Sequence, residues 1–142
     1  MNVSQALKQK NKLIVEIKKQ YQIAQKFNSQ EEGNVRRYSV QTALDRAAEL
    51  TMELTDLKTK IHLANAPVYD KIFRMAELKN RIKELRKIPT DEGKVEARYS
   101  SVVSVKEVEI NIAQLDEMVQ FLEARIEGIQ AELDVHNATT QI

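Results

Sequence analysis

The sequence predicts a mainly α protein: elongated antiparallel helical hairpins forming a coiled-coil-like bundle, with a short β-hairpin arm, that self-associates into a homo-oligomer. Three observations predict it. Apolar residues recur at alternating spacings of three and four over four long segments, the signature of a helix seam. Glycine (3) and proline (2) are scarce, whereas an all-β chain of 142 residues needs many turns built from them. Apolar residues make up 42% of the chain but aromatics only 5%. A core of Leu, Ile, Val and Ala suits helix-on-helix contact. The length suits one domain, 1–142.

The first helix is expected over residues 3–27. Asn2 caps it, and Gln5, three residues on, completes a capping box. Its seam reads Val3, Leu7, Lys10, Ile14, Ile17, Tyr21 and Ala24, with Lys10 as a polar interruption. The polar stretch from Asn28 to Arg37, containing Gly33, is read as a loop. Ser39 then caps a second helix over 40–64, whose seam is Val40, Ala43, Ala47, Leu50, Leu54, Leu57, Ile61 and Ala64. A helix of that length is about 37 Å long and needs a partner helix to cover its apolar face.

Pro67 breaks the pattern because it lacks a donor for the carbonyl of Leu63. A new helix over 67–87, capped by Asn65, is favoured over a kink. Its stripe is Val68, Ile72, Met75, Lys79, Ile82 and Leu85. The segment Ile88-Pro89-Thr90-Asp91-Glu92-Gly93 ends it. Residues 94–110 change period: Val103, Val105, Val108 and Ile110 point to a short β arm. Asn111 and Gln114 form a second capping box before a last helix over 112–136. Its stripe is Ile112, Leu115, Val119, Leu122, Ile126, Ile129 and Leu133, and Asn137 is its expected stop. Four seams interrupted at Lys10 and Lys79 expose more apolar stripe than one chain pairs readily, hence the expected oligomer.

Composition excludes several functions. With 22 basic and 21 acidic residues the net charge is +1, which gives no general attraction to nucleic acid or to an anionic membrane. The absence of cysteine removes disulfides, thiol nucleophiles and Cys-ligated metals. No apolar run reaches the roughly 20 residues of a membrane span. The polar start, Met1-Asn2-Val3-Ser4-Gln5, lacks the apolar stretch of a signal peptide. A soluble, cytoplasmic protein is expected. His62 and His136 have no second ligand at metal spacing, and no nucleotide-loop or nucleophile-elbow motif occurs. No metal site, no cofactor and no catalytic residue is therefore assigned, and the chain is read as a non-enzyme.

Two features could carry binding. Lys79, Arg81, Lys83, Arg86 and Lys87 make the end of the third helix basic, which suits the helix dipole and offers an anion patch. No aromatic residues interleave with it, so single-stranded nucleic acid is not expected there. The second feature is a repeated tripeptide, Arg37-Tyr38-Ser39 and Arg98-Tyr99-Ser100. A guanidinium fork fits phosphate, a phenol ring stacks on a flat partner, and a hydroxyl fixes orientation.

The second copy of the tripeptide, the β-like stretch to Ile110, the cap at Asn111, the stripe from Ile112 to Leu122 and the ending Asn137-Ala138-Thr139-Thr140-Gln141-Ile142 together resemble the septicolysin-like family of small helical bacterial and phage proteins. The resemblance covers residues 94–142, with the N-terminal helices alike only in pattern. Asn111 stands where that family's pattern has Asp, and Gln141 where it has Glu. The resemblance implies a helical, non-secreted protein without an assigned enzyme activity, and places the candidate site at Arg98, Tyr99, Ser100, Asn137, Thr139 and Thr140. Arg37 and Tyr38 join it from the first tripeptide.

Small phage proteins of this kind can act as sponges in anti-defence, sequestering nucleotide signals. The first functional expectation is therefore a small anionic nucleotide-like ligand bound without turnover. The second is a coiled-coil adaptor or structural subunit with no small ligand. A hydrolase with an unrecognised carboxylate pair comes last.

Overall fold

A computed structural model describes residues 1–96 and 103–142. In chain order it contains α1 (Val3–Phe27), α2 (Val40–Ala64), a 3-10 turn (Ala66–Val68), α3 (Tyr69–Leu85), β1 (Gly93–Glu96), β2 (Val103–Lys106) and α4 (Ile112–Thr139). The protein is mainly helical with one small antiparallel sheet, as the spacing of apolar residues predicts. The chain groups into two compact units, residues 1–68 with 135–142 and residues 69–134.

The first unit is built on α1 and α2. Asn2 Oδ1 accepts from the Gln5 amide at 2.8 Å and Gln5 Oε1 accepts from the Asn2 amide at 2.9 Å, the expected capping box. Ser39 Oγ accepts from the Thr42 amide at 3.2 Å and starts α2. The α2 seam runs as read: Ala43, Ala47, Leu50 and Ile61 are buried, with Val40, Leu54, Leu57 and Ala64 half-buried between them.

The α1 seam is shifted on one side. Val3 and Ala24 are buried and Leu7, Lys10 and Ile17 half-buried as expected, but Ala6 and Leu13 are the buried positions between them, with Gln20 and Phe27 half-buried, whereas Ile14 and Tyr21 are exposed. Alanines at 6, 24, 43 and 47 are buried on the two helices, and a seam of small residues lets the backbones approach with Cα atoms within 8 Å.

The start of α1 is tied to the chain's last residues. Val3 N–H donates to Thr140 O at 3.0 Å and Ile142 N–H to Met1 O at 3.0 Å, so Asn2 and Gln141 form an antiparallel bridge. Asn2 Nδ2 donates to Ala138 O at 3.1 Å. This explains why the last helix passes Asn137 and ends at Thr139 instead. Its final carbonyls find donors: the Thr139 hydroxyl on Val135 O (2.7 Å), the Thr140 amide on His136 O (2.9 Å), and Asn2 on Ala138.

Pro67 lies in the 3-10 turn between two separate helices, not in the first turn of α3. Asn65 serves as the C-cap of α2, its amide bonded to Ile61 O, and its own carbonyl accepts from Val68 N–H at 2.9 Å. The α-helix that follows thus begins at Tyr69.

The second unit sets α3 against the Ile112–Asp134 part of α4. Leu78 and Ile82 on α3 and Leu115, Val119, Leu122, Ile129 and Leu133 on α4 are buried. Leu78 takes the place expected for Lys79, which is exposed. The ion pairs Lys71–Glu132 (3.2 Å) and Arg86–Glu123 (3.1 Å) run in opposite chain directions, so the helices are antiparallel. Helix α3 stops at Leu85, two residues early. The Lys87 and Ile88 amides bond three residues back, to Glu84 O and Leu85 O, because Pro89 disfavours helical backbone at Ile88.

The second strand of the β arm ends earlier than the period-two pattern suggests. Among the described residues Gly93 pairs with Lys106 and Glu96 with Val103. Gly93 has φ +86°, a left-handed conformation that glycine adopts without strain, and the chain turns into β1 there. Beyond Lys106 the second strand has no partner, so Val108 and Ile110 lie outside the sheet.

Candidate functional site

The described copy of the tripeptide forms the wall of an open concavity in the first unit, lined by Asn28, Arg36, Arg37, Tyr38, Ser39 and Gln41. The end of α1 builds it. The last carbonyls of a helix lack internal donors and carry partial negative charge. Arg36 supplies the donors: Nη1 bonds Phe27 O at 2.9 Å and Nη2 bonds Asn28 O at 3.2 Å. Tyr38 packs on the Phe27 ring with centroids 4.7 Å apart at 45°. Ser39 is occupied as the helix cap. Gly33, with φ +86°, and the Gln30 Nε2 bond to Asn34 O shape the rest of the loop.

This leaves the Arg37 guanidinium with no side-chain partner among the described residues, next to a half-open phenol ring. The Lys26 ammonium lies 5.4 Å from the centroid of the Phe27 ring that supports Tyr38. The amino end of α2 adds positive dipole at the same place. The concavity is suited to an anion with a flat part: the guanidinium to the charge, the ring to the plane and the Asn28 amide to orientation, while the Gln41 amide already donates to Asp45 Oδ1 at 2.8 Å.

Arg98, Tyr99 and Ser100 fall outside the described residues. Asn137, Thr139 and Thr140 belong to the clasp at the start of α1. Thr139 holds the Val135 carbonyl. Thr140 Oγ1 lies 3.1 Å from His136 Nδ1, whose Nε2 lies 3.2 Å from Asn65 Oδ1. The tripeptide loop meets α1 at Phe27 and the clasp meets it at Val3. A 25-residue helix spans about 36 Å between its end residues, so one small ligand cannot touch both. The expectation that Arg37 and the Asn137–Thr140 tail converge on one ligand is therefore corrected: each belongs to a different end of the same unit.

Sequence reasoning missed Arg36 and Asn28. The signal was present, since a helix ending at Phe27 needs nearby donors and Arg36 is the first arginine after it. The basic stretch of α3 is partly neutralised, with Arg86 on Glu123 and Lys87 on Glu84.

Among the described residues no polar or charged side chain is fully buried, and no three His, Asp or Glu side chains converge on a point that could hold a metal. No described helix is long and apolar enough to cross a membrane. No family model, curated protein or solved structure matches the chain.

Proposed function

We propose that this chain is a non-catalytic, self-associating helical binding protein that sequesters a small anionic, ring-bearing molecule of the nucleotide kind. One observation carries the reading: a free guanidinium at Arg37 beside the propped Tyr38 ring, in a concavity where Arg36 and Ser39 are already committed to the backbone. The similarity of residues 94–142 to the septicolysin-like family is in keeping with it, as is the second Arg-Tyr-Ser at residues 98–100.

The test is calorimetric titration of a panel of nucleotides and cyclic nucleotides. A charge-assisted hydrogen bond contributes about 1.5–3 kcal/mol, so Arg37→Ala weakens binding at least about tenfold, and Tyr38→Leu weakens it less. Arg98→Ala, measured in parallel, reports whether the second tripeptide shares the ligand. A panel in which nothing binds sinks the sequestration reading.

A second reading, a coiled-coil adaptor or structural subunit, has its own observation. Helix α4 is apolar on two faces: beside the buried stripe, Met118 and Phe121 stand in solvent. A helix apolar on more than one side ordinarily has more than one neighbour. Under this reading the panel is silent and a protein partner is recovered instead.

A further inference from the structure

Alongside the buried α3/α4 seam runs an apolar groove lined by Arg81 and Leu85 on α3 and by Gln114, Glu117, Met118 and Phe121 on α4. Phe121 is 65% exposed and Met118 42%, although the same helix buries Leu115, Val119, Leu122, Ile129 and Leu133. Leu85, Met118 and Phe121 together make a contiguous apolar surface rimmed by Arg81, Gln114 and Glu117, the pattern of an association surface.

The charges on the rim say what fits it. Lys71, Arg74, Arg86 and Lys87 all have carboxylate partners. Arg81 and Glu117 have none among the described residues, and they sit on opposite walls of the groove. One wall is an unpaired cation and the other an unpaired anion, which makes the surface complementary to itself.

We propose that the groove is filled by a second copy of this chain, docked groove to groove about a twofold axis running along the α3/α4 pair. That axis lays α3 of each copy over α4 of the other, antiparallel, and makes a four-helix layer with Phe121 and Met118 inside. It sets each Arg81 toward the other copy's Glu117, twice over. A twofold axis across the pair sets Arg81 on Arg81 and Glu117 on Glu117, which like-charge repulsion disfavours. The inference rests on the self-association proposed above and assigns its surface.

The experiment is sedimentation equilibrium of the full chain with four variants, folding being checked by circular dichroism. The wild type is expected at twice the 16.3 kDa chain mass. Phe121→Asp weakens the dimer at least about 100-fold, as loss of a central aromatic anchor does. Phe73→Asp, an exposed Phe on α3 outside the groove, leaves it unchanged. Glu117→Arg weakens it about tenfold, and Arg81→Glu combined with Glu117→Arg restores it to within about threefold. A monomeric wild type at about 100 µM overturns both this inference and self-association. A dimer that survives Phe121→Asp overturns this inference and leaves self-association standing through another face. Loss with Phe121→Asp but no rescue by the charge exchange overturns the proposed arrangement of the copies.

Discussion

Leu13 and Ile14 are neighbours in the chain and have opposite surroundings: Leu13 is 6% exposed against α2, while Ile14 is 44% exposed. Burial sets the cost of truncation, through lost transfer free energy and the cavity left behind. Leu13→Ala should therefore destabilise by about 2–4 kcal/mol, and Ile14→Ala by less than about 1 kcal/mol, measured by urea unfolding. Equal effects would show that the α1 seam has the other phase. The pattern alone favoured Ile14 because it weighs size, and Leu7, Ile14 and Tyr21 make a heavier stripe than Ala6, Leu13 and Gln20. What decides is the face turned to α2, where Leu13 lies beside Leu57. The same blindness places Lys79 on the α3 seam: the expected stripe steps four residues on from Met75, whereas the packed face steps three, to Leu78.

At the scale of elements, helix starts are written in neighbouring residues at α1, α2 and α4, and α1 and α2 end at Phe27 and Ala64 as the sequence suggests, whereas α3 begins at Tyr69 and stops at Leu85 and α4 runs on to Thr139. The three legible starts bond side chain to backbone within three positions, at Asn2–Gln5, Ser39 and Asn111–Gln114. Ser39→Ala should cost about 1 kcal/mol and Ser39→Gly only a few tenths, as a fall in melting temperature. Helix ends depend on distant donors. Arg36 reaches back nine residues to Phe27, and Asn2 crosses 136 residues to Ala138. No local rule contains either bond. Arg36→Ala should fray the last turn of α1, read as faster exchange of the Asn28 amide while the amides near Leu13 keep their protection. The candidate site shows the same division: the tripeptide was legible as chemistry, but its separation from the clasp by the length of α1 was not.

Over the whole chain, the larger of the surprises is the clasp. Thr140 and Ile142 lie beyond the stop expected at Asn137, yet their backbone atoms complete the start of α1 and cover Val3, which is fully buried. Removing residues 138–142 takes away the carbonyls that accept from Asn2 Nδ2 and from the Val3 N–H. It should destabilise the first unit by about 2–4 kcal/mol, with the Val3 amide losing its exchange protection first. A truncated chain that melts like the full one would show the clasp to be incidental. Two backbone hydrogen bonds also bring positions 1 and 142 into register side by side. The linear order of the helices is then only one of several that the same contacts accept. A circular permutant, with residues 142 and 1 joined by a short glycine linker and the chain reopened at the exposed Gly33, should keep its helical spectrum and cooperative melting, because the first-unit contacts do not depend on which peptide bond is left open.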